Sequence, residues 1–390
     1  MADFLLALDW LIVLLWTARI LAALRNLPRV PNLLDPRYAH PLEPAQLPLI
    51  TVIVPACNEE ANIEATLRSL LAIESVPIEI LAVDDRSTDA TCTIMDRVAS
   101  ESQTRLTVIH VTDLPPGWMG KTHAMALAAR QATTPWLLFT DADILFSPDS
   151  LLRAVNLAQA ERADHVVVFP TVILKTFGET MMVAIFQLFG ILGSPPWRVS
   201  DSRSRDSIGI GAFNLVRSDV YRAIGGFESL RMQVVEDIRL GVEVKRAGYR
   251  QRVAFGPGLI RLRWVEGTRH FIRNLTKNFF AVFRFRALPA LAACAVLIVS
   301  CLGPFAALAG PLRFRIPGTL LFVTLFFVYR SFRRYNGIPS AYFLTFPVAA
   351  ALLIYALFRS VIVTLLHGGI RWRGTFYPLS ELRRNSGPLR

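Results

Sequence analysis

Residues 136–146, WLLFTDADILF, set two carboxylates, Asp141 and Asp143, inside an otherwise apolar run. Burying ionised acids costs free energy unless something positive pairs with them. The four residues ahead of them, WLLF, read as a strand. Working outward, the same pattern recurs. ITVIV (residues 50–54) is short, β-branched and continuous, as in a strand buried on both faces of a parallel sheet. IEILAV (78–83), LTVIHV (106–111) and HVVVF (165–169) supply further strands. Between them, Ile63, Leu67 and Leu70 fall at one-face helical spacing. Ser87 or Thr88 is placed to cap the next helix, and residues 121–132 form another. Ser147, Pro148 and Asp149 open a further one, with Pro in its first turn. The economical fold is α/β: an open, mostly parallel sheet with helices on both faces.

Ligands of such sheets bind outside the carboxyl ends of the strands. There the sequence puts Pro55, Asn58 and Glu59 after the first strand, Asp84 and Asp85 after the second, and Asp141 and Asp143 after the fourth. None of these turns carries the G-x-G-x-x-G fingerprint of a dinucleotide fold. Acids in place of glycines imply that a diphosphate is held through a divalent cation. Mg²⁺ or Mn²⁺ prefers hard oxygen ligands and often uses one or two carboxylates plus phosphate oxygens. Taken alone, D-x-D reads equally well as turn-forming and helix-capping acids. Asp84, Asp85 and Asp89 are open to two readings as well: acids favoured at a helix N-terminus, or carboxylates accepting a pyrimidine N–H. Lys121, at a helix start, meets either an anion or solvent.

The chain has 390 residues, 53% hydrophobic and 18% charged, too apolar a balance for a purely soluble protein. Residues 4–24 make an apolar run of about 21 residues, enough to span a bilayer. Asp9 and Arg19 within it, and no basic residue ahead of it, favour an uncleaved anchor over a signal peptide. Further apolar runs cover residues 288–308, 316–328 and 341–366, the middle one short for a span. The net charge of +12 is gathered beside these runs, at Arg25, Arg29, Arg330, Arg333 and Arg334. That pattern places the central domain in the cytoplasm and makes lipid headgroups, not nucleic acid, the natural partner of the charge. Cys57, Cys92, Cys294 and Cys301 show no metal-ligand pairing and read as free thiols.

Two stretches lie at the membrane side. Residues 261–286 are basic, with Arg269, Arg273, Lys277 and Arg284 along one helical stripe. Phe271, Leu275, Phe279 and Val282 fall on another face, as in an amphipathic helix lying in the interface plane. ETMMVAIFQLFGILGSPPW (179–197) is apolar but too short and broken to span. It reads as a core helix or as a segment dipping into the headgroups.

VIVPACNEEANI, AVDDRSTDAT, GKTHAMALA and FTDADILF, in this order and spacing, resemble the family 2 inverting glycosyltransferases of GT-A fold. GIGAFNLVRSDVYRAIGGF (209–227) is similar to that family's acceptor-side glycine segment, and VVEDIRLGVEVKRAGYR (234–250) to its E-D motif. The resemblance covers about residues 48–285. It implies that Asp84 and Asp85 contact the base and ribose of a nucleotide sugar, with Pro55 and Glu59 lining that pocket and Lys121 near the phosphates. Asp141 and Asp143 would hold Mg²⁺ or Mn²⁺, and Asp237 of Glu236-Asp237 would be the general base. Asp237 is also placed to cap its own helix. Gly211, Arg263, Trp264, Lys277 and Asn278 are expected at the acceptor or interface side. Where the family often has Q-x-x-R-W, this chain has Ile260 and keeps only Arg263-Trp264. That departure weakens the analogy with processive polysaccharide synthases, and RW…KNFF resembles instead the branch associated with hopanoid, carotenoid and other lipid glycosylation.

The expected organisation is an anchor at 1–25, a Pro-rich linker at 26–47, a GT-A domain at 48–260, an interfacial helix region at 261–286, transmembrane helices at 287–367 and a basic tail at 368–390. The expected protein is a multi-pass inner-membrane enzyme taking a nucleotide-diphosphate sugar, most commonly a uridine diphosphate sugar, and a lipid acceptor. The alternatives are a processive synthase or a catalytically silent nucleotide-binding scaffold.

Overall fold

A computed structural model describes residues 1–102 and 105–387; the end of the basic tail, 388–390, lies outside the described residues. Its strands are β1 (Ile50–Ala56), β2 (Ile78–Asp85), β3 (Leu106–Val111), β4 (Trp136–Phe139), β5 (Ile144–Phe146), β6 (His165–Phe169), β7 (Thr171–Val172), β8 (Asn214–Arg217), β9 (Gln251–Phe255), β10 (Ile260–Leu262), β11 (Gly369–Trp372) and β12 (Thr375–Pro378). The main sheet has the order β3-β2-β1-β4-β8-β6-β9. It is parallel except for β8, which runs antiparallel to both β4 and β6. In β1, Val52 and Val54 enter one core and Ile53 the opposite one. Burial on both faces is why that strand reads as a continuous apolar run. The GT-A-type expectation of a mostly parallel sheet between helices stands.

The antiparallel β8 was hidden in the sequence because its four residues, NLVR, carry no turn signal. A buried polar network fixes it. The ring nitrogens of His165 lie 3.1 Å from Asn214 Oδ1 and 2.8 Å from Gln251 Nε2, joining β6, β8 and β9. Burial pushes His165 down to about 4, so the ring is neutral, as such a network needs.

Several local expectations are corrected. Neither Ser87 nor Thr88 caps the helix Thr91–Glu101; Asp89 Oδ1 accepts the Thr91 N–H instead, at 3.0 Å. Pro148 stands ahead of the helix Ser150–Ala160, not in its first turn. The stretch expected as a linker is a packed strap. Leu27, Val30, Leu33 and Tyr38 are buried. Leu33 pairs with Phe255, Arg153 donates to the Leu33 carbonyl, and Asn156 donates to those of Tyr38 and His40.

Five helical segments among the described residues are long and apolar enough to cross a membrane: Ala2–Arg29, Phe177–Val199, Ala287–Ala307, Leu312–Asn336 and Ser340–Leu366. The run expected to be short, 316–328, is the middle of a 25-residue helix, about 37 Å long. Arg313, Arg315 and the basic cluster at 330–334 had masked its ends. Two of the five begin and end at the catalytic domain. Phe177–Val199 follows β7 and is tied at its far end by Lys245, which donates to the carbonyls of Val199 and Asp201. Ser340–Leu366 starts just after Tyr335, whose ring lies 4.3 Å from Phe255 of β9, and runs directly into β11. Near its start, Phe346 packs against Trp16 of the first helix.

Candidate active site

The site is built where the sheet order reverses, between β1 and β4. Lys121 stands at the start of the helix Gly120–Gln131. Its ammonium reaches Asp141 Oδ1 and Glu236 Oε1, each at 2.5 Å. One lysine thus draws the tip of β4 and the N-terminus of the helix Glu236–Arg246 into a single cleft. Burial works against the Lys121 charge, but Asp141, Glu236 and Asp237 outweigh it and hold its pKa above the usual lysine range. Burial likewise opposes the Asp141 charge, and Lys121 more than compensates, keeping that carboxyl below its ordinary value. The positive partner demanded by the apolar DAD run is therefore Lys121 for Asp141.

Asp143 has no such partner among the described residues. Burial, Asp141 and Glu59 push it up to about 7. Asp237 is also pushed up to about 7, by burial and the adjacent Glu236. Its Oδ2 accepts the Gly211 N–H at 2.8 Å, and its Oδ1 accepts the Ile238 N–H at 2.7 Å. Asp237 thus serves its own helix end and still reaches the cleft. Gly211 leaves room for the acids: a Cβ there would collide with the Asp141 carboxylate. When all five are ionised, Glu59, Asp141, Asp143, Glu236 and Asp237 outnumber the cations Lys121, Lys277 and Arg373 by two, a state that Asp143 and Asp237, both pushed up, resist until more positive charge arrives. Two surplus charges on hard oxygen ligands fit one divalent cation, with Asp143 the carboxylate left free to ligate it.

The second pocket lies at the tip of β2. Asp84 and Asp85 are buried. Asp84 accepts the Ser87 N–H and faces His110 Nδ1 at 3.5 Å. Asp85 is gripped by Arg86, at 2.8 Å from Nε. It also lies so close to Gly120 that any side chain there would strike it. Pro55 is buried in β1, and Glu59 follows that strand at the cleft edge. Asp84, Cys92 and His110 offer ligand atoms within 4.8 Å of one another, a grouping that cysteine spacing alone had not suggested. His110 Nε2 is already engaged by Asp96 at 3.0 Å. All four cysteines are free thiols.

The segment expected as a basic tail folds over the cleft. β11 and β12 form a hairpin over the cleft. Arg373 at its tip donates to Glu59 Oε1 at 2.5 Å. Thr375 Oγ1 accepts from Arg86, and the Tyr377 hydroxyl accepts the Gly120 N–H at 3.2 Å. Trp372 lies under Lys277 Nζ, 4.2 Å from ring centre. Sequence reasoning missed these four residues. The available signal was RG between aromatic and β-branched residues, a weaker hairpin mark than NG or DG.

Lys277 belongs to this cleft and not to an exposed basic stripe. In the helix Gly267–Val282 the buried residues are Phe271, Leu275, Phe280 and Ala281, whereas Val282 is exposed. Arg284 lies beyond the helix, in left-handed backbone. Asn278 is half-buried beside Lys277. Arg263 and Trp264 sit away from the acids: Arg263 pairs with the buried Glu179 at 3.2 Å, and Trp264 packs on Phe186 and Phe271. They join the catalytic domain to the Phe177–Gly193 helix.

Acids at neighbouring strand tips converge with an E-D helix end on one cleft, an arrangement compatible with a GT-A-type glycosyltransferase fold. Residues 51–236 match the family described as Glycosyl transferase family 2, and the chain carries a domain of that family. A 4,4'-diaponeurosporenoate glycosyltransferase of Staphylococcus aureus (strain MRSA252) is 24% identical over 379 residues, 94% of this chain and 99% of the relative. Its counterpart in strain USA300 is 29% identical over 233 residues, 58% of this chain and 60% of its own length. Among solved structures, a mannosyltransferase from Pyrobaculum calidifontis in complex with GDP-Man and Mn²⁺ shares the fold, with a TM-score of 0.51 and 20% identity over 93% of this chain and 99% of that one.

Proposed function

We propose that this protein moves a sugar from a nucleotide-diphosphate donor onto a lipid acceptor by a direct, inverting displacement at the membrane surface. The observation that carries this reading is the Lys121 bridge between Asp141 and Glu236, which brings Asp237, the neighbour of Glu236, to the same cleft. Asp84 and Asp85 select the base and ribose in the pocket beside Pro55 and Glu59. Asp141 and Asp143 are the residues that hold Mg²⁺ or Mn²⁺, which when bound takes up charge on the departing diphosphate. Asp237 accepts the proton of an acceptor hydroxyl as its oxygen bonds to the anomeric carbon and the diphosphate oxygen departs from the opposite face. The Gly211 N–H holds Asp237 Oδ2 in place. Its raised pKa suits a general base working near neutrality.

The lipid acceptor rests on two supports. The relatives are named for a carotenoid acid acceptor. The apolar helix Phe177–Gly193 lies against the domain's own Trp264 and Phe271, which gives a greasy acceptor a surface leading toward the cleft. Three segments cross the membrane in this reading: Ala2–Arg29, Ala287–Ala307 and Leu312–Asn336. Arg313 meets Asp3 at 3.3 Å, at the end of the first helix remote from the catalytic domain. Phe177–Val199 and Ser340–Leu366 leave and rejoin the catalytic side. That returns the C-terminus to the domain's own side and puts Arg330, Arg333 and Arg334 there with it, facing the cytoplasm.

The test is transfer of radiolabel from a panel of nucleotide sugars in isolated membranes, followed by organic extraction. Label in the lipid phase supports this reading. Label in insoluble polymer points to a processive synthase, and no transfer to a silent scaffold.

A further inference from the structure

We propose that Lys277 and Arg373, the second delivered by the C-terminal hairpin, form the protein's own binding site for the donor's diphosphate. This rests on the donor reading above and adds a part of the chain outside the matched domain. Three independent observations lead to it.

The first is a cation without an anion. Lys121 is fully occupied by Asp141 and Glu236, but Lys277 has no carboxylate within 4 Å among the described residues; it lies over the face of Trp372. A half-buried ammonium left in that state is costly, and an arriving anion relieves the cost. Burial, Lys121 and Arg373 lower Lys277 to about 8, which keeps it charged near neutral pH and eager for a negative partner. The second is geometry. Arg373 donates to Glu59 at the edge of the base pocket, and the residue before it, Trp372, covers Lys277, so the hairpin tip sets both cations along the path of a diphosphate that joins that pocket to the acids of the cleft. Guanidinium is suited to gripping two phosphate oxygens at once. The third is strain. The Trp372–Thr375 pairing leaves a two-residue turn, Arg373-Gly374, with φ of 47° and 80°. Asn or Gly is favoured at the first of these positions. A long, branched-headed arginine held there, with no buried packing role, marks a functional demand on the tip.

In this structure Glu59 holds Arg373, an intramolecular stand-in for the phosphate. The Arg86–Thr375 and Gly120–Tyr377 bonds seat the hairpin, so the tip needs only a side-chain exchange from carboxylate to phosphate, not a refolding. Trp372 shields Lys277 from water and strengthens its attraction for the incoming anion.

The experiment uses the full chain in lipid nanodiscs with Mn²⁺ and measures binding of uridine and guanosine diphosphates, the matching nucleosides, and inorganic pyrophosphate. Arg373→Ala and Lys277→Gln should each weaken diphosphate and pyrophosphate binding by about 10- to 100-fold, while nucleoside binding stays within about twofold of the parent. Arg373→Lys should recover part of the loss, since charge remains but the two-pronged grip does not. Glu59→Gln, which releases Arg373 from its carboxylate, should tighten pyrophosphate binding. Equal pyrophosphate affinity in the parent and both variants overturns this inference alone. Equal losses for nucleoside and diphosphate make the hairpin merely structural and overturn it too. A parent chain that binds none of these ligands overturns the donor reading along with it.

Discussion

The cleft is assembled from two regions that differ in kind. The strand tips supply Asp84, Asp85, Asp141 and Asp143 from segments buried on both sides of a seven-stranded sheet. The hairpin at 369–378 supplies Arg373 and Trp372 from a two-stranded ribbon attached after the last apolar helix. The first region is rigid because its backbone is paired and its flanks are packed. The second is held by a few polar bonds, and two-stranded ribbons are marginal by themselves. Acids that must keep a fixed spacing sit on the rigid part, and the cation that meets the ligand sits on the movable one.

The comparison is broken most severely at the chemistry. Asp237→Asn keeps the shape and the hydrogen bond from Gly211 but cannot take a proton. Transfer should fall by a factor of about 10² to 10⁴, with nucleotide affinity unchanged in an equilibrium binding assay. Transfer at the parent rate removes Asp237 from the base role. Next in size is Lys121→Met. It leaves Asp141 and Glu236 facing one another with no cation between them, and removing one member of a buried pair is costly. Because Asp141 is a third exposed, the expected loss is about 2 kcal/mol, below the ~3–5 kcal/mol of a fully buried pair. It should appear as a lowered melting temperature together with a lost donor site. Full stability would show that the bridge is incidental.

How much of this was legible follows the same division. The DAD run and the DD pair could be read because a carboxylate at an apolar strand end is anomalous, and anomalies are informative; the E-D pair, at a helix start, was read only from the resemblance. Four strands were marked by β-branched residues and the fifth, WLLF, by the acids that follow it. What stayed hidden depends on partners distant in sequence. β8 is stabilised by His165 and Gln251 and not by its own NLVR. Lys277 fits a basic helical stripe by spacing, yet its destination was set by Trp372, nearly a hundred positions later. In RWRGTFYP, arginine at a left-handed turn position disguises the hairpin, so the segment reads as a solvated tail.

A pH profile sharpens the contrast at smaller scale. Asp237 must be ionised to act and is pushed up to about 7, so kcat/KM should climb with pH up to that region, about tenfold per unit below it. Added Mn²⁺, by favouring ionised carboxylates nearby, moves this limb to lower pH. Above about 8 Lys277 loses its proton, and the donor KM should rise while the strand-tip acids are unaffected. An acidic limb that is missing altogether would mean that the acceptor arrives already ionised and needs no base.

The smallest effect isolates the hairpin itself. Gly374 has φ of 80° and Gly248, on a remote loop, has φ of 83°; an added Cβ meets nothing within 4 Å at either. Gly374→Ala and Gly248→Ala therefore carry the same backbone penalty, about 1 kcal/mol, without a steric clash to confuse it. In a rigid part of the fold that cost lowers global stability and leaves the cleft alone. In a ribbon held by a few polar bonds, it is drawn from the local seat of Arg373. Gly374→Ala should weaken diphosphate binding about threefold to fivefold with little change in melting temperature, as expected when a substitution biases a local opening. Gly248→Ala should lower the melting temperature and leave binding untouched. If the two variants behave alike, the hairpin is as firmly built as the sheet, and the division between rigid acids and a movable cation disappears.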